Sequence, residues 1–169
     1  PPPHPEHHCQ KGTAPKPDIQ FQNREECNKY YEAVPAIVEE AMEDVKKITG
    51  REYKPYQYYG APDATDIIVL MGSGAEAVEE TVDYLCAAGK KVGLVKVRLY
   101  RPFAAAKFAE AIPATVKNIT VLDRVKECGS MGEPLYLDVV AALAETGRSA
   151  KILSGRYGLG SKEFNPSMI

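Results

Sequence analysis

The feature that most constrains the fold is a regular alternation of short apolar runs and amphipathic segments in residues 61–160. Short runs that are apolar throughout are typical of strands buried on both faces of a sheet. The sequence therefore predicts four buried strands, at residues 67–71, 92–97, 119–122 and 151–154.

The segments between these runs carry apolar residues at helical spacing, and each ends near a Gly or a Pro. They predict three helices, one in each interval between strands. Strand–helix–strand units with short connections form right-handed crossovers in a parallel sheet. Because the strands show no polar alternation, helices must cover both faces. We therefore predict a three-layer α/β domain with a parallel sheet over residues 61–160.

Residues 1–22 are rich in Pro and His and have no periodicity, which predicts an extended arm without its own core. His4, His7 and His8 lie close together in this arm. A metal site is one interpretation of them. No carboxylate or cysteine pattern fixes the geometry of those imidazoles, so we favour a surface arm.

Residues 23–60 predict a helical linker region. Asn23 is a candidate cap, and Pro35 is a candidate start for a second helical segment. That segment ends at Gly50 and carries an apolar stripe: Val34, Ile37, Val38, Ala41, Val45 and Ile48. Residues 53–59 contain four tyrosines, which is typical of a packing segment or an edge strand.

Residues 161–169 predict the start of a further segment. The chain begins with Pro1, so we expect it to be a piece of a longer protein. The formal net charge of −2 shows no bias towards nucleic acid or membrane surfaces, and we expect neither as a partner.

Four cysteines lie far apart in the sequence, and no pair has the spacing of a metal knuckle or a CxxC motif. We therefore expect Cys9, Cys27, Cys86 and Cys128 to be reduced thiols of a cytoplasmic protein. On this basis the chain itself binds no metal, cluster or other cofactor.

Residues 72–77 match the pattern G-x-G-x-x-A between a predicted strand and a predicted helix, as a dinucleotide-binding turn requires. The acidic residue expected about 20 positions later is missing, and Arg98 would suit only a phosphorylated ribose. Glu76 in the first helical turn would repel a phosphate. We favour a tight packing turn and keep a free-standing, Rossmann-like NADP-binding module as the alternative.

The loop at residues 123–133 follows a predicted parallel strand, at the edge where sites of α/β sheets gather. Asp123, Arg124, Lys126 and Glu127 could form a local salt network or dock another domain. No histidine lies beyond His8 and no nucleophile–base pair is visible, which disfavours catalysis. Cys128 is interpreted as a bystander thiol.

Arg98 and Arg101 both follow the end of the second predicted strand. Two guanidinium groups could clamp a carboxylate or a phosphate. We favour interdomain ion pairing, and so predict contacts with other domains through these two arginines and the charged residues of the following loop.

Several longer motifs resemble those of the pyruvate:ferredoxin (flavodoxin) oxidoreductases, in the same order and spacing. They are VRLYRPF at 97–103, LDRVKE at 122–127, GEPLYLDV at 132–139, GRYGLGSK at 155–162, MGSG at 71–74, NKYY at 28–31 and GAPDA at 60–64. The resemblance covers nearly the whole chain. It implies an internal piece that contains the transketolase C-terminal-like domain (domain II) at residues 61–160.

The resemblance also implies the reaction of the parent protein, which is the oxidative decarboxylation of pyruvate to acetyl-CoA with reduction of ferredoxin or flavodoxin. The family uses thiamine diphosphate with Mg²⁺ and [4Fe–4S] clusters, with CoA as co-substrate, and its members are expected to be homodimers. Their setting is the cytoplasm, or a hydrogenosome in an anaerobic eukaryote. No thiamine-binding or cluster motif occurs in this chain, so the resemblance implies no catalytic residue here.

Overall fold

The computed structural model describes Glu6 and residues 14–169. Contacts divide the chain into two compact units, Pro1–Ala33 and Val34–Ile169. The three histidines considered as metal ligands, and Cys9, lie outside the described residues. Within the described part, no helix combines the length and the apolar character that crossing a bilayer requires.

Helix α1 spans Pro17–Glu26, and helix α2 spans Asn28–Thr49. The predicted extended arm is therefore wrong for residues 17–22, because Pro17 fits the first turn of a helix and Asp18 complements its dipole. The predicted break at Pro35 is also wrong. Helix α2 runs through Pro35, at the expense of one backbone hydrogen bond.

One five-stranded sheet forms the centre of the second unit. Its strands are β1 (Tyr56–Gly60), β2 (Asp66–Met71), β3 (Val92–Val97), β4 (Asn118–Asp123) and β5 (Lys151–Arg156). The spatial order is β1-β3-β2-β4-β5. Strands β2 to β5 are parallel, as predicted, and β1 pairs with β3 in the antiparallel direction.

Strand β1 lies in the range predicted as a helical linker region. Its tyrosines confirm the edge-strand interpretation, because they pair in register from Tyr56 opposite Val97 to Gly60 opposite Gly93. The predicted helical region therefore ends before β1, and an antiparallel edge is added to an otherwise parallel sheet.

Three helices cover the sheet: α3 (Gly74–Ala87), α4 (Ala105–Glu110) and α5 (Pro134–Glu145). Helix α3 packs on one face through Val78 and Val82 against Leu70 and Leu94. Helices α4 and α5 pack on the other face, where Phe108, Leu135 and Val139 meet the central strands. Residues that follow β5 form two 3₁₀ turns, Leu159–Ser161 and Pro166–Met168. The predicted three-layer architecture is confirmed.

The larger core cluster is built around Phe108, which is fully buried. Its ring lies edge-on to Tyr56 at 5.5 Å and tilted against Phe103 at 5.2 Å. Burying one such aromatic side chain contributes about 1.5–3 kcal/mol. The Tyr56 hydroxyl accepts a hydrogen bond from the Ala104 backbone N–H at 2.8 Å, which fixes the start of α4 beneath β1.

Candidate functional site

The crossover order of the sheet places a topological switch between β2 and β4. From β2 the chain crosses to β3 on one side, and from β3 it returns to β4 on the other. The two strands pair only from Asp66 opposite Asn118 to Val69 opposite Val121, whereas β2–β3 and β4–β5 pair to their ends. The sheet therefore splits at its carboxyl edge, where open α/β sheets bind ligands.

Tyr157, the residue after β5, lies in this split. Its backbone N–H donates to the Asp123 carbonyl at 3.1 Å, and its hydroxyl donates to the Met71 carbonyl at 3.2 Å. A Cβ on Gly74 would stand 2.9 Å from the tyrosine ring, and Phe164 packs on the ring with a centroid distance of 4.4 Å. The chain thus fills its own ligand crevice with a half-buried aromatic side chain.

The G-x-G-x-x-A turn lies beside this crevice, next to a shallow cavity of about 350 Å³ that Tyr53 also lines. Its amides are used locally, because Ala75 N–H donates to Gly72 O and Glu76 N–H donates to Ser73 O. The neighbouring Lys96 ammonium pairs with Glu79 at 2.5 Å. The geometry favours the tight packing turn over a phosphate cradle.

Asp123 ends β4, and its carboxylate points inward. It is 2% exposed and accepts hydrogen bonds from the backbone N–H groups of Leu135 at 3.0 Å and Tyr136 at 3.2 Å, in the first turn of α5. Burial raises the pKa of Asp123, and the two N–H donors oppose that rise. Asp123 therefore caps a helix and has no exposed carboxylate to offer a neighbouring domain.

Glu133 is the second buried carboxylate at this edge, 1% exposed. It accepts a 2.7 Å hydrogen bond from the Glu127 backbone N–H and a second bond from the Arg156 guanidinium. These contacts hold the pKa of Glu133 below its usual value, the Glu127 N–H contributing most. The carboxylate thus ties both ends of the loop at residues 127–133 to β5.

The local salt network, one of the two interpretations of this loop, does not form. No ion pair within 4 Å joins the side chains of Asp123, Arg124, Lys126 and Glu127, all of which the structure describes. Arg124 instead donates to the Gly158 carbonyl at 3.2 Å. Residues 124–131 are all exposed, and Met131 is 99% exposed. The loop therefore presents two exposed charges, Lys126 and Glu127, that have no ion pair within 4 Å, and Lys126 also helps to lower the pKa of Glu133.

Arg98 and Arg101 lie at the same edge but have separate partners. Arg98 donates to the Gln57 side chain and stacks over Tyr53, 5.0 Å from the ring centroid. Arg101 pairs with Asp138 of α5 at 3.0 Å. Both side chains are exposed, and the two guanidinium groups do not form a common anion clamp.

Sequence reasoning missed Glu133, Tyr157 and Arg148. The Arg148 guanidinium donates to the carbonyls of Ala109 at 2.9 Å and Ile112 at 2.8 Å, and also to that of Pro113, so it caps the end of α4. One feature of the sequence points to Glu133, since this residue precedes the proline that starts an apolar helix. The other two act through side-chain hydrogen bonds to residues 35–86 positions away, which no local pattern signals.

The described residues do not fit the cofactors of the family that the sequence motifs resemble. No group of three His, Cys, Asp or Glu side chains among them could hold a metal ion. Cys27, Cys86 and Cys128 are free thiols. The described part thus lacks the ligands that a cluster or a thiamine-bound Mg²⁺ needs.

The fold defines a class of protein. It is an α/β domain with helices on both faces of the sheet, and its own chain fills the crevice at the carboxyl ends of the strands. A solved structure with this fold is the 2-oxoglutarate:ferredoxin oxidoreductase from Magnetococcus marinus with 2-oxoglutarate, coenzyme A and succinyl-CoA bound. It superposes with a TM-score of 0.55 at 21% identity, over 92% of this chain and 23% of that one. At this identity the similarity concerns the fold alone.

Residues 64–169 match the family model described as pyruvate:ferredoxin oxidoreductase core domain II, and the chain belongs to this family. It is 59% identical to the pyruvate:ferredoxin oxidoreductase of Moorella thermoacetica, over 98% of this chain. It is 57% identical to a putative pyruvate-flavodoxin oxidoreductase of Synechocystis, over 94%. The chain spans only 14% and 13% of the length of these relatives. The resemblance seen in the motifs is confirmed, and nothing in the comparisons supports a free-standing NADP-binding module.

Proposed function

We propose that this chain is a structural domain of a pyruvate:ferredoxin oxidoreductase, which braces the catalytic domains and carries no catalytic residue itself. The observation that supports the structural role is Tyr157, which occupies the crevice where an α/β sheet of this topology would bind a ligand. Family membership supports the identity of the parent protein.

In this proposal the parent decarboxylates pyruvate, transfers the acetyl group to CoA and passes the electrons to ferredoxin or flavodoxin. Thiamine diphosphate with Mg²⁺ and [4Fe–4S] clusters would supply that chemistry from other domains. The names of the relatives support the substrate and the two acceptors. We further propose a homodimeric parent in the cytoplasm, or in a hydrogenosome if the source is an anaerobic eukaryote.

We place the interdomain contacts at the carboxyl edge of the sheet, through Arg98, Arg101, Arg124, Lys126 and Glu127. Among the described residues, the exposed side chains of Lys126 and Glu127 have no ion pair within 4 Å, and the loop that carries them is anchored by Glu133. Asp123, part of the original prediction, is left out because its carboxylate is buried as a helix cap. Residues 23–55 would connect this domain to its neighbour, and residues 161–169 would lead towards the next.

Two measurements test the proposal. The parent protein should reduce ferredoxin in the presence of pyruvate and CoA, whereas calorimetry should detect no thiamine diphosphate binding to the 169-residue chain. Tight thiamine diphosphate binding to this chain, or a parent that ignores pyruvate, would contradict the proposal.

A matched pair of variants in the parent tests the contact surface. Lys126→Glu reverses a charge at the carboxyl edge that has no ion pair within 4 Å but acts electrostatically on Glu133. It should therefore lower the stability of the assembled protein by more than it lowers that of the 169-residue chain. Lys90→Glu reverses an exposed charge just before β3, at the opposite edge, and should leave it unchanged. Equal effects of the two variants would remove the support for contacts at the carboxyl edge.

A further inference from the structure

The two faces of the sheet are covered unequally. Helices α4 and α5 cover one face, while α3 covers the other mainly over β1, β2 and β3. In parallel pairs, registered residues share a face. Ile68, Thr120 and Leu153 are in register on the α3 side, and Leu122 lies two residues after Thr120. We call these four residues the open strip.

The open strip is apolar except for Thr120, and it is not buried. Leu153 is 46% exposed, and the other three residues are half-buried. The segment after β5 covers only one end, where Phe164 and Ile169 join the smaller core cluster. A groove of about 450 Å³ remains between that segment and the strands, with Ile68, Thr120 and Leu122 among its lining residues.

The size of the open strip suits a helix. It crosses from β2 to β5, which are two strand spacings apart, or about 10 Å. A helix with its side chains is about 10–12 Å in diameter. Each connection between successive parallel strands of this sheet contains a helix, whereas the residues after β5 form only two 3₁₀ turns.

The rim of the open strip is positively charged. Lys151 lies two residues before Leu153 on the same face, and Lys162 lines the groove. Neither ammonium has a carboxylate within 4 Å among the described residues. Arg156 also lines the groove but is bound to Glu133, and Glu163 is the one acidic lining residue. A segment with an apolar face and carboxylates on its flanks would complement this surface.

We propose that the open strip is an internal docking surface of the parent protein, covered by an amphipathic, acid-flanked segment that lies outside residues 1–169. This inference rests on the proposed function, in which the chain is one domain of a longer polypeptide. The length of the relatives supports a covering segment from the same polypeptide, because this chain accounts for only 13–14% of their residues. The remainder supplies a covalently attached partner at high effective concentration, which a second copy of this chain cannot match.

The test compares thiol alkylation of a Leu153→Cys variant in the 169-residue chain and in the parent protein, quantified on the peptide that contains position 153. We expect alkylation in the parent to be slower by at least about tenfold, because thiol reactivity requires exposure. Ser154→Cys is the matched control, since it is exposed and lies on the opposite face of the same strand. It should react at similar rates in both proteins.

Equal rates for Leu153→Cys in the two proteins would overturn the proposal, and so would equal slowing of both variants. Cross-linking from position 153 should reach a peptide outside residues 1–169. A link to the same region of a second copy would overturn the proposed occupant. Thr120→Cys, in the same strip, provides the same readout if Leu153→Cys fails to fold. Because alkylation requires no pyruvate turnover, a failure of this inference is distinguishable from a failure of the proposed function.

Discussion

Replacing Asp123 by Ala should destabilise the domain strongly, because the carboxylate caps α5 from the end of β4. Hydrogen bonds to a charged acceptor contribute roughly 1.5–3 kcal/mol each, and Asp123 accepts two. Burial raises the pKa of Asp123, so desolvation opposes its charge and we expect the net loss near the lower end of the sum. We expect Asp123→Ala to lower the free energy of unfolding by about 3 kcal/mol.

The Asn variant separates the hydrogen bonds from the charge. Asp123→Asn keeps an oxygen that can accept from the Leu135 N–H, so it should cost only about 1 kcal/mol. Asp138→Ala is the matched control, since Asp138 lies on the same helix but is half-buried and pairs with the exposed Arg101. That pair should contribute less than about 1 kcal/mol.

Urea unfolding of the 169-residue chain, followed by circular dichroism, measures these differences. With a slope of about 2 kcal/mol per molar urea, Asp123→Ala should lower the midpoint by about 1.5 M. A shift below about 0.5 M would refute the assignment of Asp123 as a helix cap. Equal shifts for the Ala and Asn variants would refute the division between hydrogen bonds and charge.

Three further predictions concern other contacts of the domain. Glu133 has a lowered pKa, so the stability that its carboxylate contributes is present above the usual value of 4.5 and is lost as the pH falls through the folded-state pKa. Glu133→Gln should therefore make the unfolding free energy fall less steeply at acid pH. Arg148→Met removes the cap of α4 and should lower the unfolding free energy in urea by about 2–3 kcal/mol, with partial recovery in Arg148→Lys. Gly74→Ala should cost about 1–3 kcal/mol in thermal unfolding, because its Cβ would overlap the Tyr157 ring and stand 3.1 Å from the Leu70 side chain. A Tyr157→Ala background should reduce this cost and leave only the smaller part that is due to Leu70. An undiminished cost in the double variant would show that the ring is not the main obstacle.

The parallel strands could be predicted because their apolar runs are local and continuous. Residues 67–71 and 92–97 coincide with β2 and β3 to within one residue, since burial on both faces leaves little choice of side chain. For residues 53–59 an edge strand was only one of two interpretations, because tyrosines suit both an edge strand and a packing segment. The first part of helix α1, residues 17–22, was missed, because a short polar segment has no apolar periodicity to detect.

The candidate site could be predicted only in its location. The carboxyl edge follows from strand direction, so Arg98 and residues 123–127 were placed at the correct end of the sheet. The inward turn of Asp123 and the position of Tyr157 depend on contacts made only in the folded chain. Charge in a sequence does not distinguish a carboxylate that faces a partner from one that caps a neighbouring helix.

The antiparallel direction of β1 has a consequence for how the domain is tethered. Because β1 runs opposite to β3, the residues just before it lie at the carboxyl edge, where the Pro55 carbonyl accepts from the N–H groups of Arg98 and Leu99. The covalent connection to preceding residues therefore arrives beside Arg98, at the same edge of the sheet as Arg101 and the charged loop. A partner delivered through that connection would meet these charges without a diffusional search, so even weak ion pairs could hold it in place.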